Sequence, residues 1–225
     1  MSNTRFLRRL PLTLSLALLG ACPVLPALAA ELTPDTPPEE VAREAYARMQ
    51  AADWVAAAET FDPAALKRFR ELLMPVLDAV DAAGKGQTAK GQAGTGQTAV
   101  DPNGVLMLWV LFAPAKSIEE IRALTDREVF ARIMSNTMSL ASAKLEGQQV
   151  IGSVADGADM VHVVTRNVAK VETMSMTKVE AITLRRTDHG WRLALTGDLE
   201  GLAETLQASI APSEAPAEAA SPPTR

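Results

Sequence analysis

The sequence predicts an α+β fold in which N-terminal helices pack on a curved antiparallel sheet of about four strands. Three observations predict it. Helix-start signals crowd the stretch from Thr36 to Glu128. After Gly147 the apolar residues recur at every second position instead of every third or fourth. The short links Asp156-Gly157-Ala158-Asp159 and Asp188-His189-Gly190 then divide this β-rich part into hairpins.

Residues 1–30 precede the fold and read as a signal peptide. Arg5, Arg8 and Arg9 stand before an apolar run from Leu10 to Leu19, and Ala27-Leu28-Ala29 closes it with small residues. The run falls short of the roughly 20 apolar residues that a membrane span needs. A mature chain starting at Ala30 or Glu31, in the periplasm, is the expectation. A second reading comes from Leu19-Gly20-Ala21-Cys22, which looks like the lipobox of a bacterial lipoprotein anchored through Cys22. The chain stays apolar from Pro23 to Leu28, where a lipoprotein usually turns polar.

The first helix is expected to start at Thr36-Pro37-Pro38-Glu39, with Thr36 as cap. Val41, Ala45, Met49 and Ala52 share its buried face, and Arg43, Glu44 and Arg48 turn away. Asp53 caps a short second helix, and Asp62-Pro63 opens a third with Leu66, Phe69, Leu73, Val76 and Leu77 as its buried stripe. Pro75 should kink or break that helix, because it lacks an N–H and crowds the preceding turn. Residues 84–99, rich in Gly, Gln, Thr and Lys, read as a flexible loop that buries little. Lys85 and Lys90 are each followed by glycine, so this is no phosphate-binding loop.

Val105 to Ala113 is the most apolar stretch of the mature chain. It predicts either a core helix hydrophobic all round, or a pocket wall or association surface carrying Met107 and Trp109. Ser117 with Glu120, and Thr125 with Glu128, are capping boxes. The second opens a helix whose Phe130, Met134, Thr137, Met138 and Ala141 share a face. Strands are expected over Val150 to Val154, Met160 to Val168 and Val179 to Leu184, and a last one around Trp191-Arg192-Leu193. Residues 31–210 thus form one domain, and residues 211–225, rich in Pro, Ala and Glu, a disordered tail.

Charge and cysteine content narrow the function classes. The leader holds three arginines and no acid, so cleavage takes the formal charge from −5 to −8. An acidic chain is a poor partner for nucleic acid. Cys22 is the only cysteine, so the mature chain is expected to hold no disulfide, thiol nucleophile or cysteine metal site. The two histidines, His162 and His189, show no metal-ligand spacing, and neither a metal nor a cofactor is expected.

The segment Ala51-Ala52-Asp53-Trp54-Val55-Ala56-Ala57-Ala58-Glu59-Thr60-Phe61-Asp62-Pro63 resembles the opening of nuclear transport factor 2-like (SnoaL-like, cystatin-like) domains. Val179-Glu180-Ala181-Ile182-Thr183-Leu184, the turn and Trp191-Arg192-Leu193 resemble their closing hairpin. The resemblance spans roughly residues 37–207 and implies a cone whose sheet and helices enclose a cavity. Residues 84–99 depart from a minimal domain of this type and look like an insertion. Members of that superfamily include isomerases, dehydratases and small-molecule binders, so the fold does not choose the function. Its isomerases use an aspartate base with a tyrosine or acidic oxyanion partner. Here Tyr46 is the one tyrosine, and no base-and-donor pair maps onto matching positions.

Trp109, Met107, His162, Tyr46 and Met160 are the candidate pocket residues. In Met160, His162 and Val164 the alternation is read as facing the cavity, which would offer His162 as a base or ligand. Met174 and Met176 share a face near a strand turn and suit a pocket mouth or simple edge packing. The reading that follows is a non-catalytic binding or interaction module, taking an apolar small molecule or a second copy as a homodimer, with membrane contact only if Cys22 is lipidated. The alternative is a small cofactor-free isomerase or dehydratase using His162 with Tyr46 or Asp159.

Overall fold

The computed structural model describes residues 31–88 and 101–210. The expected signal peptide of residues 1–30, the expected tail of residues 211–225 and most of the expected 84–99 insertion lie outside these described residues. The fold is α+β, with six helices preceding four strands and a seventh helix closing the described chain. These are α1 (Pro38–Gln50), α2 (Trp54–Ala58), α3 (Pro63–Thr88), α4 (Pro102–Leu111), α5 (Ile118–Ala123), α6 (Asp126–Leu140), β1 (Ala143–Ala155), β2 (Met160–Val171), β3 (Met174–Thr187), β4 (Gly190–Leu193) and α7 (Gly197–Ile210).

Side-chain caps set most of the helix starts. Asp53 accepts from the Ala56 N–H at 3.1 Å, Asp62 from Ala64 at 2.9 Å, and Asp101 from Asn103 at 2.8 Å. Thr125 and Glu128 form the full reciprocal box at the head of α6. Ser117 caps α5, but Glu120 reaches back to the Lys116 N–H instead of closing a box on Ser117. In α1 the expected cap moves by one residue. Pro37 is the N-cap and Pro38 the first helical residue, while the Thr36 hydroxyl accepts from Thr33 N–H.

Three other expectations are corrected by packing. Glu44 and Arg48 do not turn away from the protein: α2 docks beside them, and Arg48 donates to Glu44 at 2.7 Å and to the Ala56 carbonyl at 2.9 Å. Pro75 neither breaks nor ends α3, which runs through it as one helix of 26 residues. Burial of Phe69, Leu73, Val76, Leu77 and Val80 on both sides of the proline holds the turn that local preference would open. The helix also takes in residues 84–88, so the Gly-rich segment begins as helix and not as loop.

The sheet is open and antiparallel, in the order β1-β2-β3-β4. It is longer than the sequence suggested, because polar residues at the strand ends pair as readily as the apolar centres. Between the halves, Asp62 N–H donates to Leu193 O and Leu193 N–H donates to Thr60 O, giving a short parallel bridge from Phe61 to β4. One continuous core then joins α1, α3 and α6 to β2, β3, β4 and α7. α7, not anticipated from sequence, adds Leu199, Ala203 and Leu206 to it. α4 is one-sided and not buried all round: Leu108 and Leu111 face the core, while Leu106 and Met107 are 63% and 45% exposed.

Candidate functional site

β1 carries extra residues relative to β2. Leu145 pairs with Ala169 and Gly147 with Val168, leaving Glu146 as a bulge, and a second irregularity falls between Val150 and Gly152. A bulge twists its strand and withdraws backbone groups from the ladder. α1 meets those groups with two side chains one helical turn apart. The Tyr46 hydroxyl donates to Gly147 O at 2.8 Å and Val168 O at 3.2 Å, and Gln50 donates to Glu146 O at 2.8 Å. Tyr46→Phe is expected to cost about 1–2 kcal/mol of unfolding free energy, since both carbonyls lose their donor. Urea denaturation checks this, and a variant as stable as its parent overturns the assignment.

Between α1, α6 and the sheet lies a cavity of about 410 Å³. Its walls are apolar: Met49 from α1, Met134 and Met138 from α6, and Leu145, Ala169 and Ile182 from the sheet. Thioethers on unbranched stems adapt to an occupant of irregular shape. At one end the lining turns polar, with Gln148, Asn167, Lys178, Glu180 and Asp198. Lys178 donates to Glu180 at 2.9 Å and to Asp198, and these two partners raise its pKa, so it remains a cation at neutral pH. Burial, with the nearby Glu180 charge, pushes the Tyr46 phenol up from its ordinary value.

Of the five pocket residues expected from sequence, Tyr46 alone lines this cavity. Its ring forms wall, and its single proton is committed to the sheet backbone. Met160 and His162 fall on the opposite face of the sheet. Antiparallel pairing puts the buried Val161, Val163 and Thr165 on the inner face, which sends Met160, His162 and Val164 outward. His162 bonds there to the Thr183 hydroxyl at 3.0 Å and lies 3.5 Å from Asp156. Trp109 packs partly buried against the core from α4, and Met107 points to solvent, neither reaching the cavity. Met176 does line it, at the exposed end of β3, as one of the two readings of that residue anticipated.

Sequence reasoning missed Met134 and Met138 as lining, although it put both on one face, and missed Asn167, Lys178 and Glu180 altogether. One signal was present. Asparagine is disfavoured in strands, and Asn167 interrupts a valine-rich run at the inward parity set by Val163 and Thr165. Among the described residues no group of three or more His, Cys, Asp and Glu is placed to hold a metal ion. No described helix is long and apolar enough to cross a membrane. No protein-family model, curated protein or solved structure matches this chain.

Proposed function

We propose that the chain is an exported, non-catalytic binding module of the periplasm, holding an apolar small molecule between its helices and its sheet. The observation that carries this reading is the cavity of about 410 Å³, apolar along its walls and polar at one end. Pockets of ~300–1,000 Å³ with that division of labour are the ordinary form of a small-molecule site. Helices leading into an open antiparallel sheet, with a cavity between them, also favour the nuclear transport factor 2-like frame that residues 51–63 and 179–193 resemble. The basic, apolar and small-residue zones of residues 1–30 support export.

The titratable groups favour holding over reacting. Tyr46 has its proton tied to two carbonyls, and Lys178 is kept charged between two carboxylates. His162, the base of the enzymatic alternative, stands on the far face of the sheet.

Native mass spectrometry of protein released gently from the periplasm tests the proposal. A mature mass beginning at Ala30 or Glu31 with a retained small molecule is the expected spectrum. Ala169→Phe, which fills the cavity from its β2 wall, is expected to lower occupancy about tenfold or more, while Trp109→Ala leaves it unchanged. A folded Ala169→Phe protein that retains the molecule as well as its parent would overturn the site.

A further inference from the structure

The polar end of the cavity contains a hydrogen-bonding capacity that the protein leaves unused. Gln148, Asn167 and Lys178 stand in register across β1, β2 and β3, with Glu180 two residues along β3 from Lys178. Asn167 Nδ2 donates to Glu180 Oε1, and Lys178 Nζ donates to Glu180 Oε2. A carboxylate only accepts, so the Asn167 amide must present its NH₂ to Glu180. Its carbonyl oxygen is thereby fixed on the other side. That Oδ1 is buried and meets no donor among the described residues. Thr165, directly opposite Glu180 on β2, is fully buried and its hydroxyl likewise lacks a partner. Buried polar atoms are nearly always satisfied, by protein, water or ligand.

We infer that the occupant's polar head donates a hydrogen bond to Asn167 Oδ1 and carries no negative charge, which names the ligand class as an apolar body bearing a hydroxyl or ammonium group. The inference rests on the cavity being a binding site. Charge points the same way as the orphaned acceptor. Among the described residues that line the polar end Lys178 is the one cation, and it is shared between the carboxylates of Glu180 and Asp198. A carboxylate head would face an amide oxygen that cannot donate to it and two like charges that repel it. A hydroxyl or ammonium head supplies the missing donor, and ammonium also meets a site whose charged groups sum to one negative.

The test uses decanol, decylamine and decanoate, which share one apolar chain and differ in the head. Each displaces N-phenylnaphthylamine, a dye that fluoresces on entering apolar surroundings, from the mature protein. Decanol and decylamine are expected to displace it at concentrations about tenfold or more below that of decanoate, the size of one buried polar group left unpaired. Asn167→Leu is expected to remove the advantage of decanol. Asn167→Asp is expected to tighten decylamine and weaken decanoate further, each about tenfold, and serves if the leucine variant does not fold. Failure of the dye to bind the parent protein would sink the cavity as a site. Dye binding with equal displacement by all three heads, or with decanoate strongest, would leave the cavity standing and overturn the donor-head inference. A ranking that survives both Asn167 variants would overturn it as well.

Discussion

Phe130→Ala is expected to lower the unfolding free energy by about 3–5 kcal/mol, the range for removing a buried phenyl ring. Phe130 is 1% exposed on α6, and its ring lies 4.7 Å from that of Phe61 and 6.2 Å, edge-on, from that of Phe69. These three residues come from different parts of the chain. Phe61 makes the bridge to β4, Phe69 sits on α3, and Phe130 joins them to the helix that supplies Met134 and Met138. Alanine would remove the shared partner of both other rings, and the backbone of a helix capped by a full box on one side cannot slide inward to refill the space. Against a total stability of ~5–15 kcal/mol, the loss is a large fraction. Urea denaturation followed by tryptophan fluorescence checks it. A loss below about 1 kcal/mol would mean that the rings do not form the joint between the helical and sheet halves.

The same ring explains which parts of the fold were legible in sequence. Phe130 belonged to a helical stripe after a Thr125–Glu128 box, and both the box and the shared face stand in the structure. Caps and periodicity are local, so they survive into the fold wherever packing agrees with them. Pro75 is where it does not agree. A local rule asks the helix to break, and a stripe of five buried side chains keeps it whole. Glu44 and Arg48 show the same override, since nothing in the first helix announces that the second will dock on its charged side.

The site was less legible than the fold, for a reason visible in β2. Met160-Val161-His162-Val163-Val164-Thr165 carries valine at both parities. Alternation therefore marks a strand without saying which side is inward, and one step of register exchanges the two faces. Taking the side with histidine as the cavity side placed His162 in the cavity, where the structure puts it on the far face, and hid Asn167. What fixes the choice is non-local. Val163 and Ile182 pair across the sheet and are both buried under the helices, and every second residue from them, Thr165, Asn167 and Ala169 along β2 or Glu180, Lys178 and Met176 along β3, follows inward. The methionines of α6 were placed on one face, but a face becomes a pocket wall only when the opposing sheet stands off from it. The bulges in β1 and the tyrosine that fastens the first of them carry no sequence signature of their own.

Gly190→Ala is expected to cost about 2–4 kcal/mol, from backbone strain and a steric clash acting together. Gly190 follows the Asp188-His189 turn with φ +89°, a conformation that an L side chain adopts only with strain. Space is lacking too. A Cβ built there would stand 2.8 Å from Pro34 Cα and 2.9 Å from Pro34 O, and these are backbone atoms that no rotamer change can move away. Residues just after the expected cleavage site therefore lie directly on the closing hairpin, and the glycine is what lets them approach. The two contributions separate in a chain that starts at Thr36. There the clash is gone, and Gly190→Ala is expected to cost only about 1–2 kcal/mol, the strain alone. Urea denaturation of the four proteins closes the cycle. An equal cost in long and short chains would show that the N-terminal segment leaves the hairpin without penalty, whereas a difference of about 1 kcal/mol or more measures its hold on the fold.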